Sequence, residues 1–152
     1  MGFLAALKRL LGDDTVGLDE ENRRHLAEAW NHEHVLEVQT ETDFGSSRYD
    51  RELWVKKLRH MLAERLPVEE QPWHDFLADA QALGFDQGWI EGQLRSAFTR
   101  LVRQAVSDGV VTHEEHHNIE LARIQIGLTE AEAAAILKKV EEQIKAHLNR
   151  QV

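Results

Sequence analysis

The chain has no cysteine, only two prolines, and aromatic side chains at 7% of its 152 residues. Without thiols there is no disulfide framework, iron–sulfur cluster, thiolate zinc site or cysteine nucleophile, so any metal must be held by His, Asp or Glu. No apolar run approaches the roughly 18 residues that read as a membrane span. Basic residues are also in the minority, with 18 Lys and Arg against 27 Asp and Glu, and they lie scattered among carboxylates. Nucleic-acid binding draws on clustered cations that neutralise phosphates, so that class is set aside. The net charge of −9 suits a metal cation or a basic partner surface better.

What is present favours helix. Ala, Leu, Glu, Gln, Lys and Arg are abundant, and apolar residues recur at three and four positions. Asp19 caps a short helix running to about Trp30. After it, Val35, Leu36 and Val38 read as a brief extended run and 42–47 as loop, either a disordered linker or a short edge hairpin. Asp50 caps the next helix, with Leu53, Trp54, Leu58, Met61, Leu62 and Leu66 facing inward until Pro67 ends it. A helix with Pro72 in its first turn carries Trp73, Phe76, Leu77, Ala80 and Leu83, and Gly84 closes it as a left-handed cap. Asp86 opens a helix with Ile90, Leu94, Ala97, Phe98, Leu101 and Ala105 buried; Gly88 and Gly92 near its start offer close backbone packing. Thr112 opens another, ended by Gly127, and Thr129 opens the last, striped by Ala133, Ile136, Leu137, Val140, Ile144 and Leu148.

These helices repeat at an offset of 43 residues, the distance from Gly84 to Gly127. Leu58 falls on Leu101, Phe76 on Ile119, Phe85 on Leu128 and Leu94 on Leu137. The expected fold is therefore all-α, a compact bundle of six or seven short helices with an internal helix-turn-helix repeat. Residues 1–50 hold an amphipathic helix, a short helix and an irregular linker, and residues 51–150 the helical domain.

The stretch "SDGVVTHEEHHNIELA", Ser107 to Ala122, contains a formal match to the zinc-protease pattern H-E-x-x-H at His113, Glu114 and His117. Two histidines one turn apart could hold the ion while the glutamate acts as base on its water. The charged residues between them, and the lack of a third ligand announced downstream, speak against it. A capping box explains the same residues: Thr112 accepts from the Glu115 N–H while the Glu115 carboxylate reaches back to the Thr112 N–H, as Thr129 and Glu132 do in "TEAE". Asp108, Gly109 and Glu115 also look like the second half of a calcium loop, but Gln104 and Val106 stand where its first carboxylates belong. A weak divalent-cation site, for calcium or zinc, would use Asp108 and Glu115 with His113 or His117. His32 and His34 would share a face only in an extended strand, and a solvated polar stretch is the better reading of them.

The segment Leu101 to Ile144 resembles the TerB family of tellurite-resistance-associated helical domains. Asp108, Gly109, Thr112, Glu115, Gly127, Leu128 and Thr129 carry the likeness: a helix ending in an Asp-Gly turn, a capping residue, a glutamate seven positions after the Asp, and a second helix closing on Gly-Leu-Thr. The resemblance implies an all-helical bundle with two-fold character, a cation site on acidic residues of the turns, and a role in stress-response or membrane-associated assemblies rather than catalysis. The upstream repeat departs from the pattern, with Arg65 and Pro72 in place of the Asp and Glu, so only Asp108 and Glu115 carry over as site residues.

The expected function is thus a non-enzymatic binding module for a protein partner, with a metal-dependent hydrolase at His113–His117 as the alternative. Leu7, Leu10 and Leu11 on the amphipathic opening helix, and Trp30 beside the irregular segment, are the expected partner-binding residues. Self-association and peripheral membrane contact through residues 3–11 are further expectations of that helix, and a cytoplasmic location, including the inner face of a membrane, goes with them.

Overall fold

A computed structural model describes residues 20–39, 48–64, 69–108 and 113–150. Among them are six helices and no strand: α1 (Glu20–Gln39), α2 (Arg48–Glu64), α3 (Glu70–Ala82), α4 (Gln87–Asp108), α5 (His113–Ile126) and α6 (Glu130–Arg150). The all-α expectation holds. None of these helices is long and apolar enough to cross a membrane.

Helix α4 is the hub, packed against α1, α2, α5 and α6. Its stripe of Ile90, Leu94, Ala97, Phe98, Val102, Ala105 and Val106 is buried, and Phe98 and Val102 are wholly enclosed. One cluster joins this stripe to Leu26 and Trp30 of α1, Trp54, Leu58 and Leu62 of α2, Ile119 and Ala122 of α5, and Leu137, Val140 and Ile144 of α6. Leu53 and Leu83, read as inward from spacing alone, are exposed at the edges of their stripes.

Two corners between helices are built alike. At Gly84 the Phe85 N–H donates to the Ala80 carbonyl (3.1 Å) and the Gly84 N–H to that of Gln81 (3.0 Å). At Gly127 the Leu128 N–H donates to Arg123 (3.1 Å) and the Gly127 N–H to Ile124 (3.1 Å). Both are Schellman closures, with the glycines at φ +81° and +86°, a conformation that a Cβ disfavours. Phe85 and Leu128 then plug the core, and a new cap follows each. Asp86 Oδ2 accepts from the Trp89 N–H (3.2 Å). Thr129 and Glu132 form the expected capping box, with Thr129 Oγ1 accepting from the Glu132 N–H (3.1 Å) and Glu132 Oε1 from the Thr129 N–H (3.2 Å). Arg123 adds a brace, bonding the Leu128 carbonyl (2.9 Å) and the Glu120 carboxylate (2.6 Å).

Three local expectations are corrected. Helix α2 begins at Arg48, so Asp50 lies inside its first turn and is not its cap. Residues 31–39 continue α1 as helix instead of turning extended. Valines at 35 and 38 lower helix propensity only slightly, and adding residues to a helix already nucleated is far easier than starting one, so no glycine or proline means no stop. Gly88 and Gly92 are both exposed: a Cβ at Gly92 would meet nothing within 4 Å, and one at Gly88 only the Asp86 carboxylate at 3.0 Å. They mediate no close helix packing.

Candidate functional site

The polar flank of α4 carries Arg100, Arg103, Gln104 and Ser107 beside the buried Val102, Ala105 and Val106. Positions 100, 103 and 107 recur at three and four residues, so they share one face. Opposite them α1 presents Ala27, Trp30 and Asn31, also at helical spacing. These seven residues line a cleft of about 260 Å³. Beside it, Leu62, Ala63, Leu101, Gln104, Ala105, Asn118 and Ile119 line a more apolar cavity of about 220 Å³, and Gln104 belongs to both walls.

The two arginines sit in different electrostatic circumstances. Arg103 is 4% exposed. Its Nη2 donates to Glu33 Oε1 (3.3 Å) and to Gln143 Oε1 (2.9 Å), tying α1 and α6 to α4. Its guanidinium carbon lies 5.2 Å from the ring centroid of Trp30, within cation–π range. Ser107 Oγ donates to the Arg103 carbonyl (2.8 Å), which fixes the rim of the cleft. Arg100 is half-buried and has no such counterpart among the described residues: its Nη1, like the Arg103 Nε, is buried without a hydrogen-bond partner. Burial pulls the Arg100 guanidinium below the ordinary arginine value, as expected for a cation taken from water without an opposing charge.

This site was not anticipated from the sequence. The available signal was the run of Arg100, Arg103 and Ser107 at helical spacing, hard against an apolar stripe. Trp30 was anticipated as a docking residue, and the structure places it in the core at 5% exposure. Leu26 and Trp30 lie one turn apart on a single face of α1 that joins the core cluster, and Arg103 covers the indole.

The proposed cation residues are only partly described. The side chains of Asp108, His113 and Glu115 lie outside the described residues, as do Gly109 and Thr112. Helix α5 begins at His113, which sets the H-E-x-x-H stretch in its first turn, and Glu114 and His117 are exposed there. Among the described side chains no group of three His, Asp or Glu could hold a metal ion. His32 and His34 lie on helix α1, where two positions apart means divergent faces. Leu7, Leu10 and Leu11 also fall outside the described residues.

Comparison of the chain with protein-family models, with curated proteins and with solved structures gave no match. The TerB resemblance therefore rests on the residues quoted for it.

Proposed function

We propose that the chain is a non-enzymatic helical interaction module, TerB-like in its second half, that binds a protein partner. The observation that carries this reading is on α2. Tyr49 is 71% exposed and Leu53 40%, one turn apart on the same helix. Exposed single hydrophobes are ordinary, but a pair stacked along one face, opposite the buried Trp54, Leu58 and Leu62, forms a continuous apolar strip. Lys56, Lys57 and His60 extend this exposed face. The strip is thus locally basic in a chain of net charge −9, which suits a partner surface combining apolar and acidic groups.

A photo-crosslinking residue in place of Tyr49 tests this in living cells. It should yield a discrete protein adduct that disappears with Leu53→Asp and is absent when the crosslinker replaces the exposed Lys138 on α6. Equal adducts at both positions, or none at Tyr49, would overturn the reading. The amphipathic opening segment is the expected second contact: alanine at Leu7, Leu10 and Leu11 should leave helix content intact and abolish association. Near-stoichiometric zinc in purified untagged protein, lost with His113→Ala and accompanied by activity lost with Glu114→Gln, would instead establish a hydrolase.

A further inference from the structure

The α1–α4 cleft has a shape and a charge that the interaction reading does not use. A buried or half-buried guanidinium is stable when its charge is balanced and its N–H groups are bonded. Arg103 meets the charge half of that condition: Glu33 balances it, Gln143 also bonds its Nη2 and the Trp30 face covers it, although its Nε is buried without a hydrogen bond. Arg100, one turn earlier on the same face, lacks the balancing charge: its Nη1 is buried without a hydrogen bond, and no carboxylate is among the described residues that line the cleft. The remaining lining consists of groups that hold a ligand: two amides at Asn31 and Gln104, the Ser107 hydroxyl, the Trp30 indole and Ala27.

We propose that this cleft binds a small organic acid, its carboxylate facing the Arg100 guanidinium and the Asn31 and Gln104 amides, its apolar body toward Ala27 and Trp30. One uncompensated guanidinium matches one carboxylate in charge and in planar, two-pronged geometry. A doubly charged phosphate would need a second free cation, and Arg103 is already engaged by Glu33. The volume of about 260 Å³ lies just below the range usual for drug-sized ligands, so a compact monocarboxylate is the fitting size. The site shares no lining residue with the α2 strip, so it stands or falls separately from it.

The test uses the full chain, ¹⁵N-labelled, with the Trp30 indole N–H as reporter and three probes: benzoate, its neutral counterpart benzamide, and inorganic phosphate. Benzoate should shift the Trp30 indole and the Arg100 and Gln104 amides saturably, with a dissociation constant on the order of 1 mM. Arg100→Gln should weaken this at least roughly tenfold, Arg100→Lys less, and Arg95→Gln, on the exposed surface, not at all. The dispersed indole signals of each variant report that it is folded. Benzamide binding as tightly as benzoate, phosphate binding more tightly, or Arg100→Gln binding benzoate unchanged would each overturn the proposal.

Discussion

At the N-terminal end of α4 the indole of Trp54 is covered by other rings: Phe76 stacks on it at 4.6 Å between centroids, and Trp89 and Phe85 lie at 5.8 and 6.1 Å. Its N–H is spent on the Phe76 carbonyl (3.3 Å). Towards the C-terminal end of the same helix, Trp30 is covered instead by the guanidinium of Arg103. The first region is closed by stacked and edge-on rings, with the Trp54 N–H bonded although the Trp89 indole nitrogen is buried without a partner, and no charge is left in it to balance. The second places two cations beside a cleft, and among the described residues only Arg103 has a carboxylate, that of Glu33, to balance its charge. One helix thus serves a corner closed by aromatic packing and a cleft whose Arg100 has no counter-charge among the described residues, and that charge is what the proposed anionic ligand would supply.

The comparison can be broken most severely at the aromatic corner. Trp54→Ala should lower stability by about 3–5 kcal/mol, since the rings around it cannot collapse into the space, and the urea midpoint reads this directly. Arg103→Ala should cost about 2 kcal/mol, less than a fully buried ion pair would, because Glu33 is half-exposed and can rehydrate. Arg103→Met, which keeps the volume and removes the charge, should recover most of that loss. The two glycine corners sharpen the picture further. Gly84→Ala and Gly127→Ala should each cost about 1 kcal/mol through the positive φ, and by similar amounts because the closures are alike, a difference visible in thermal midpoints.

A smaller effect concerns pH. The Thr129 N–H, then the Thr129 hydroxyl and Arg95, hold the Glu132 carboxyl below the usual glutamate range. A carboxyl depressed on folding contributes stability that is fully present above its unfolded pKa, about 4.3, and is lost as pH falls through the lower folded value. Wild type and Glu132→Gln should therefore differ by a constant amount near neutrality and converge in acid, which urea titrations at several pH values would show.

The corners were legible in the sequence because their signals are local: glycine, a buried plug and a capping residue fall in consecutive positions at 84–86 and 127–129. The buried stripes of α4 and α6 followed from spacing for the same reason. The extension of α1 was not legible, because β-branched valines and a histidine-rich stretch imitate a break, and only packing on α4 shows that Trp30 is interior. The cleft was hidden by a further step. Arg100 and Arg103 are alike as letters, and what distinguishes them is whether Glu33, some 70 residues away in sequence, reaches the guanidinium. Spacing cannot reveal a counterion supplied by another helix. The H-E-x-x-H match shows the converse: a short motif is conspicuous in sequence while its meaning depends on a third ligand from elsewhere.

The most direct test of the contrast is the urea midpoint of Arg100→Leu measured beside Trp54→Ala. If Arg100 is held for a ligand and not for the fold, replacing its partly buried, unbonded guanidinium with an apolar side chain should leave the midpoint unchanged or raise it. A fall approaching that of Trp54→Ala would show that Arg100 is part of the structural core, and would contradict the account.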